Sequence, residues 1–377
     1  MAKTKIVHLI TATNLGGAET MLYKILSQTD RARFDPVVVS LIDCGVVGKQ
    51  IEKLGIPVHT VGMKRGIPTP ANVRRLAFLL RKIRPHLIHG WMYHGSLAAQ
   101  IGSRLARRRI PIIWAIHHTI TDLAQETRMT RAILRLSARL SRFAARIVYV
   151  SQTSCHEHEQ LGFCKSKSCV IPNGFDLAQF EPSRAARSDV RGELGLAEDT
   201  VLIGMIGRFH PLKDHANFLR AAALLAKQQP HVRFVLAGLD VTLENDDLRR
   251  EITELGLADR LHLLGERRDV PRLMAALDII ASSSSGEAFP LVVGEAMACE
   301  TPCVVTDVGD SALLVGDSGL VVPPRDPQAL ADAWQNLVEA GADERRRRGQ
   351  AARRRIEENF SLDSIVRRYQ DLYRSVL

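Results

Sequence analysis

The sequence predicts an α/β protein made of two doubly wound parallel sheets, one in each half of the chain. Three observations carry that expectation. Short continuous runs of Val, Ile and Leu recur along the chain, as strands buried on both faces require. Segments with the apolar spacing of helices separate them. The alternation then restarts after a polar stretch containing Pro, Gly and Arg at residues 176–200, which reads as a linker.

In the first half the strand candidates are residues 5–10, 36–42, 57–61, 86–89, 111–117, 146–150 and 169–172, with helical spacing at 72–83 and 97–107 among the intervening segments. In the second half they are residues 201–206, 232–237, 261–264, 278–281, 303–306 and 320–322. Two Rossmann-like domains are therefore expected, residues 1–175 and 176–361, with a cleft between them. A last helix over residues 362–377 is expected to pack back on the first. Ligands of such sheets bind beyond the carboxyl ends of the strands. The arginines at 345–348 and 353–355 read as a solvated helix face.

With 377 residues, 46% of them apolar, each half has enough material for a core. No run of 18 apolar residues marks a membrane-spanning helix, and the first residues lack the pattern of a signal peptide. The six cysteines, at 44, 155, 164, 169, 299 and 303, form no CxxC pair, so reduced thiols in the cytoplasm are expected. Charge is split unevenly. Residues 1–175 carry 26 Lys and Arg against 9 Asp and Glu, whereas residues 176–377 carry 25 against 32. An excess confined to one half points to an anionic partner there: a membrane surface, a nucleic acid or an acidic substrate. No nucleic-acid-binding motif accompanies it.

Four short stretches carry candidate chemistry. Glu287 precedes Phe-Pro on a loop, and Glu295, eight residues on, is expected in the first turn of the following helix. Two carboxylates suit a hydroxyl-rich ligand, because they accept charge-assisted hydrogen bonds. Arg208 and Lys213 follow the first strand of the second half on a loop shaped by Gly207 and Pro211, within reach of a diphosphate. Gly16 and Gly17 follow the first strand of the chain, where a backbone free of Cβ atoms and a helix N-terminus favour an anion. No G-x-G-x-x-G stands there, which argues against a dinucleotide site. His117 and His118 close the strand at 111–117. The carboxyl end of such a strand faces the expected cleft, and adjacent side chains rarely serve one site together, so one of the two is the candidate.

These stretches resemble the family 4 glycosyltransferases. The segment from Glu287 through Phe289, Pro290, Glu295 and Ala298 looks like that family's E-x7-E motif, and Gly207-Arg208 through Lys213 looks like its G-R-x-x-x-x-K. Gly16-Gly17-Ala18-Glu19 looks like its G-G-x-E loop, Ile171-Pro172-Asn173-Gly174-Phe175-Asp176 like its I-P-N-G-x-D, and Val322-Pro323-Pro324-Arg325-Asp326-Pro327 like its V-P-P-x-D-P. The resemblance covers almost the whole chain and is firmest between residues 201 and 327. It departs where Leu313 stands in place of a glutamate common in the family.

The resemblance implies a GT-B fold and a retaining hexosyl transfer from a UDP- or GDP-sugar. The acceptor would be a sugar, a lipid-linked sugar or a polysaccharide, in the synthesis of surface polysaccharide, lipopolysaccharide or glycolipid. It implies that Glu287 contacts the donor sugar hydroxyls and Glu295 the ribose. Arg208 and Lys213 would neutralise the diphosphate. The Phe289-Pro290-Leu291 backbone would offer N–H groups to sugar and diphosphate. His117 or His118, Asn173 and the Gly16-Gly17 loop would complete the substrate contacts. No Asp-x-Asp pair occurs, so no metal ion is expected, and no cofactor beyond the donor. A nucleotide-sugar epimerase, or an inactive nucleotide-sugar- or polyanion-binding protein, are the other readings of this architecture. The intact Arg208, Lys213, Glu287 and Glu295 weigh against an inactive fold.

Arg128, Arg131, Arg135, Arg139, Arg142 and Arg146 recur at steps of three and four, which predicts one basic face of a helix. Together with the arginine-rich residues 103–109, this face predicts peripheral docking of the first domain on an anionic membrane.

Overall fold

A computed structural model describes residues 3–64, 68–106, 109–120, 123, 127–197 and 199–377; Arg107 and Arg108 of the basic run lie outside them. The chain divides into two units, residues 1–174 with 362–377 and residues 175–361.

The first unit holds strands β1 (Thr4–Ile10), β2 (Phe34–Ser40), β3 (Val58–Thr60), β4 (Leu87–Trp91), β5 (Ile112–Ile116), β6 (Arg146–Tyr149) and β7 (Ser168–Val170). They form one parallel sheet in the order β3-β2-β1-β4-β5-β6-β7. The second unit holds β8 (Val201–Ile206), β9 (Val232–Ala237), β10 (Leu261–Leu263), β11 (Ile279–Ser282), β12 (Cys303–Thr306) and β13 (Leu320–Val322), in the order β10-β9-β8-β11-β12-β13, again all parallel. The inner strands coincide with apolar runs and are largely buried, whereas the edge strands β3, β7, β10 and β13 are mostly half-buried.

The last helix, Leu362–Val376, presents Leu362, Ile365, Val366, Tyr369 and Tyr373 along one face. All five belong to the first unit's core, with Ile6, Leu22, Ile25 and Phe34. Under this helix the strand histidines His8 and His89 are held neutral by burial, the pKa of His8 lowered to about 3 and that of His89 well below the ordinary value; His117, just beyond β5, is likewise buried and lowered to about 4. Trp91 Nε1 donates to His8 Nδ1 at 3.2 Å, and His89 Nδ1 meets Tyr373 Oη at 3.0 Å.

Three expectations from sequence need correction. Residues 176–200 are more than a linker: they include the helix Arg184–Glu193, capped by Ser183 Oγ, which accepts from Ala186 N at 3.2 Å. Its Arg191 is buried and shares Asp278 with Arg187. The six-arginine stripe is not one helical face. The helix Arg128–Leu140 stops where Ser141 Oγ bonds Ala138 O at 2.7 Å and accepts from Cys164 N at 2.9 Å, so Arg142 lies in a 3-10 turn and Arg146 in β6. The arginines at 345–355 are not simply solvated. Arg345 donates to Leu337 O at 3.0 Å and Arg355 to Leu314 O at 2.8 Å, and both tie the helix Gly341–Asn359 to its neighbours. Among the described residues no helix is long and apolar enough to cross a membrane.

Candidate functional site

In the second unit, the predicted residues gather at the carboxyl ends of β8 and β11. Beyond β8, Gly207 N donates to Ala237 O and Phe209 N to Leu239 O, both at 2.8 Å, which fixes the exit of the loop beside β9. His210 accepts from Leu212 N at 3.2 Å and starts the tight turn Pro211–Lys213. Asp214 takes a left-handed conformation, φ 50°, and caps the next helix through Asn217 N at 3.2 Å. The turn thereby carries Lys213 back over Gly207 and leaves Arg208 exposed.

Lys213 Nζ lies 2.5 Å from Glu287 Oε1, and Ser284 Oγ donates to the same oxygen at 2.8 Å. The two loops are stitched by groups that sequence reasoning did not single out. Ser285 N donates to Leu212 O at 2.9 Å, Ser283 Oγ to Asp214 O at 3.0 Å, and Thr306 Oγ1 to Ser284 O at 2.6 Å. The available signal was a polar run, Ser282–Ser285, directly after a buried strand. Unpartnered, such hydroxyls are costly to bury. Gly309, at φ +55°, brings its backbone against the Glu287 loop; a Cβ there would lie 2.1 Å from Glu287 O. Behind Lys213, His215 is buried and its pKa falls to about 4, through desolvation first and Lys213 second.

The helix Leu291–Ala298 starts beside this loop, with Pro290 as an N-cap that makes no side-chain cap bond. Pro290 has no N–H, so the segment's donors are the amides of Phe289 and of the first turn, Leu291 to Val293, which have no intrahelical acceptor. Glu295 is the fifth helical residue and therefore sits in the second turn rather than the first. Phe289 turns its ring into the core, 6.3 Å from that of Phe175 and 5.5 Å from that of Phe360. Gly294 makes room for Phe175, whose ring would meet a Cβ at 2.1 Å.

In the first unit, Gly16 is the extended N-cap and Gly17 the first residue of the helix Gly17–Ser27. The Glu19 carboxylate lies over Gly16, where a Cβ would meet Oε2 at 2.4 Å, and burial raises its pKa. At the end of β5, the His117 ring stacks on Trp91 at 5.1 Å and 19°, and its backbone N–H points to Met92 Sδ at 3.4 Å. Asn173, beside the ring, favours its charged form, but burial dominates and lowers its pKa to about 4. The structure therefore brings His117 and Asn173 together across 56 positions of sequence. His118 faces Tyr93 instead, with ring centroids 6.4 Å apart, and its carbonyl accepts from Ser154 Oγ at 2.5 Å.

Comparison with known proteins bears on both units. The family model described as Glycosyltransferase Family 4 matches residues 15–179, and that described as Glycosyl transferases group 1 matches residues 200–340. The chain is 28% identical over 309 residues to the UDP-Gal:alpha-D-GlcNAc-diphosphoundecaprenol alpha-1,3-galactosyltransferase of Escherichia coli, covering 78% of this chain and 76% of that one. It is 30% identical over 310 residues to a D-inositol 3-phosphate glycosyltransferase of Nocardioides, covering 74% and 66%. Among solved structures, Anabaena Alr3699/HepE in complex with UDP and glucose superposes with a TM-score of 0.86 at 28% identity, over 99% of this chain and 100% of that one.

Proposed function

Because the chain belongs to glycosyltransferase family 4 and has its GT-B fold, we propose that it transfers a hexose from a UDP- or GDP-sugar to a lipid-linked or polysaccharide acceptor, with retention and without a required metal ion. The observation that carries this reading is the convergence of Lys213, Glu287 and Ser284 beside the open first turn of the helix Leu291–Ala298. A cation and a helix N-terminus together match a diphosphate. A carboxylate held by Lys213 and Ser284 is oriented to accept from sugar hydroxyls. Charge developing on the leaving diphosphate is then met by Arg208, Lys213 and the helix amides, in place of a divalent ion. By family resemblance, Glu295 holds the ribose. His117, Asn173 and the Gly16-Gly17 loop of the first unit serve the sugar and acceptor side. UDP is the nucleotide bound by the Anabaena protein, and UDP-Gal is the donor in the name of the Escherichia coli relative, which favours UDP here.

The test is turnover of UDP-hexoses in EDTA, with the anomer of the product read by NMR. An α-linked donor should yield an α-linked product at undiminished rate. An inverted product, or activity lost to chelation and restored by Mn²⁺, overturns the reading. Replacing Glu295 by Ala should weaken donor binding by about 1.5–3 kcal/mol, the worth of a hydrogen bond to a charged group. Unchanged affinity by calorimetry would remove Glu295 from the ribose.

A membrane-bound acceptor fits the basic face of the first unit. The helix Arg128–Leu140 packs beside the helix Met92–Leu105, which in turn packs on the helix Pro70–Ile83. Arg128, Arg135 and Arg139 are exposed along the first of these, as are the apolar Met129, Leu136, Phe143, Leu105, Ile101 and Phe78 nearby. The Phe143 ring is flanked by the guanidiniums of Arg104 and Arg142, each 4.7 Å from its centroid. Apolar side chains among arginines suit the boundary of an anionic bilayer. At about 1 kcal/mol per arginine, exchanging Arg135 and Arg139 for Gln should weaken sedimentation with phosphatidylglycerol vesicles by about 2 kcal/mol, roughly thirtyfold. High salt should act in the same direction. Binding that is indifferent to both changes would leave these arginines as an ordinary solvated face.

A further inference from the structure

The second unit carries a recess of about 880 Å³ at the amino-terminal edge of its sheet, opposite the loops described above. Asp278 and Pro302, which line it, immediately precede β11 and β12. Five arginines also line it: Arg184, Arg187, Arg191, Arg345 and Arg346. Among the described lining residues the only carboxylates are Asp278 and Glu300, although residues 176–377 as a whole are acidic.

Two of these arginines act as fasteners. Arg187 and Arg191 share Asp278, at 2.8 and 3.1 Å, so a single carboxylate faces two guanidiniums and positive charge is left over. Of the remaining three, Arg345 also donates to Leu337 O at 3.0 Å, whereas Arg184 and Arg346 are exposed. Arg184 opens the helix Arg184–Glu193, and Arg345 and Arg346 lie near the start of the helix Gly341–Asn359. A cation in the first turn of a helix, as Arg184 is, faces the positive end of the dipole and is better placed with an anion beside it. Arg345 is half-buried, and desolvation lowers its pKa, which marks a charge poorly solvated by water. Among the described residues Arg346 pairs with Asp343, 3.2 Å away between two exposed side chains, a pairing of little worth. Arg184 is exposed at the rim.

We propose that this recess binds a soluble small molecule bearing two or more linked phosphates, at a site separate from the donor loops. Guanidinium forks match phosphate oxygens in pairs. The volume is that of a small-molecule pocket, and Leu196, Leu277 and Pro302 supply an apolar wall for the organic part of the ligand.

The test is calorimetric titration of inorganic pyrophosphate into the full chain in excess UDP, with hydrogen exchange to locate the site. Binding should persist in UDP and protect residues 182–192 and 341–350. Exchanging Arg184 and Arg346 for Gln should weaken it about tenfold or more, as lost hydrogen bonds to a charged group imply. Both side chains are exposed, so the variant should melt as the parent does and keep its transferase activity. Unchanged affinity in the double variant, protection confined to residues 207–214 and 284–295, or no binding at millimolar pyrophosphate would overturn the proposal. Sedimentation with phosphatidylglycerol vesicles that depends on Arg184 and Arg346, without pyrophosphate binding, would overturn it in favour of a lipid headgroup.

Discussion

Lys213→Ala should lower kcat by about 10²–10³ while changing KM little, the loss expected when one preorganised stabiliser of developing charge is removed. The turn Pro211–Lys213 is fixed at both ends, by His210 and by the Asp214 cap, so Lys213 meets the leaving group without a reorganisation cost. Its Nζ is 2.5 Å from Glu287 Oε1, so each side chain orients the other. The effects of Lys213→Ala and Glu287→Gln should therefore be non-additive, with the double variant less impaired than the sum of the two. Single-turnover measurement separates this from a binding defect. A variant that raises KM and leaves kcat intact would place Lys213 in ground-state binding only, and additive effects would deny the coupling. Lys213→Arg is a poor rescue, because a planar fork does not reproduce a compact ammonium packed over Gly207.

What could be read from the sequence follows from which interactions are local. Strands such as β5 and β8 are continuous apolar runs set between helical segments, so their existence and order in the chain were legible. Residue types and spacing also identified Lys213 and Glu287 as candidates, but not their contact across 74 positions. The approach of Asn173 to His117 was hidden for the same reason. The helix Arg184–Glu193 escaped because it buries little beyond Ala186, Val190 and an arginine, which gives almost no apolar periodicity. The arginine stripe misled in the opposite direction. Its spacing of three and four continues through Ser141, but a hydroxyl bonded to Ala138 O and to Cys164 N ends the helix there, and spacing alone carries no record of that bond. Ser283 and Ser284 gave no signal beyond a polar run after a buried strand; Ser283 satisfies the Asp214 carbonyl that the fold brings from beyond β8, and Ser284 the Glu287 carboxylate three residues on.

Asp278→Ala should destabilise the protein by about 3–5 kcal/mol, the cost of removing one partner from a buried ion pair. The carboxylate is 12% exposed and Arg191 4%, so the charge left behind has little access to water. Asp278 serves three donors at once: Arg187 at 2.8 Å, Arg191 at 3.1 Å and the backbone N–H of Leu202 at 2.9 Å. Leu202 lies in β8 beside the start of its pairing with β11, so the substitution also loosens the sheet that carries the Lys213 loop. Arg191 keeps bonds to Ala197 O at 2.8 Å and to Thr200 O, but carbonyls do not neutralise its charge. Asp278→Asn keeps an acceptor for Leu202 while losing the charge, so its cost should fall between the parent and the alanine variant. Denaturant unfolding measures both, provided the slope with denaturant is unchanged. A loss below about 1 kcal/mol for Asp278→Ala, the range of a surface pair, would show that Arg187 and Arg191 find solvent or other partners once the carboxylate is gone.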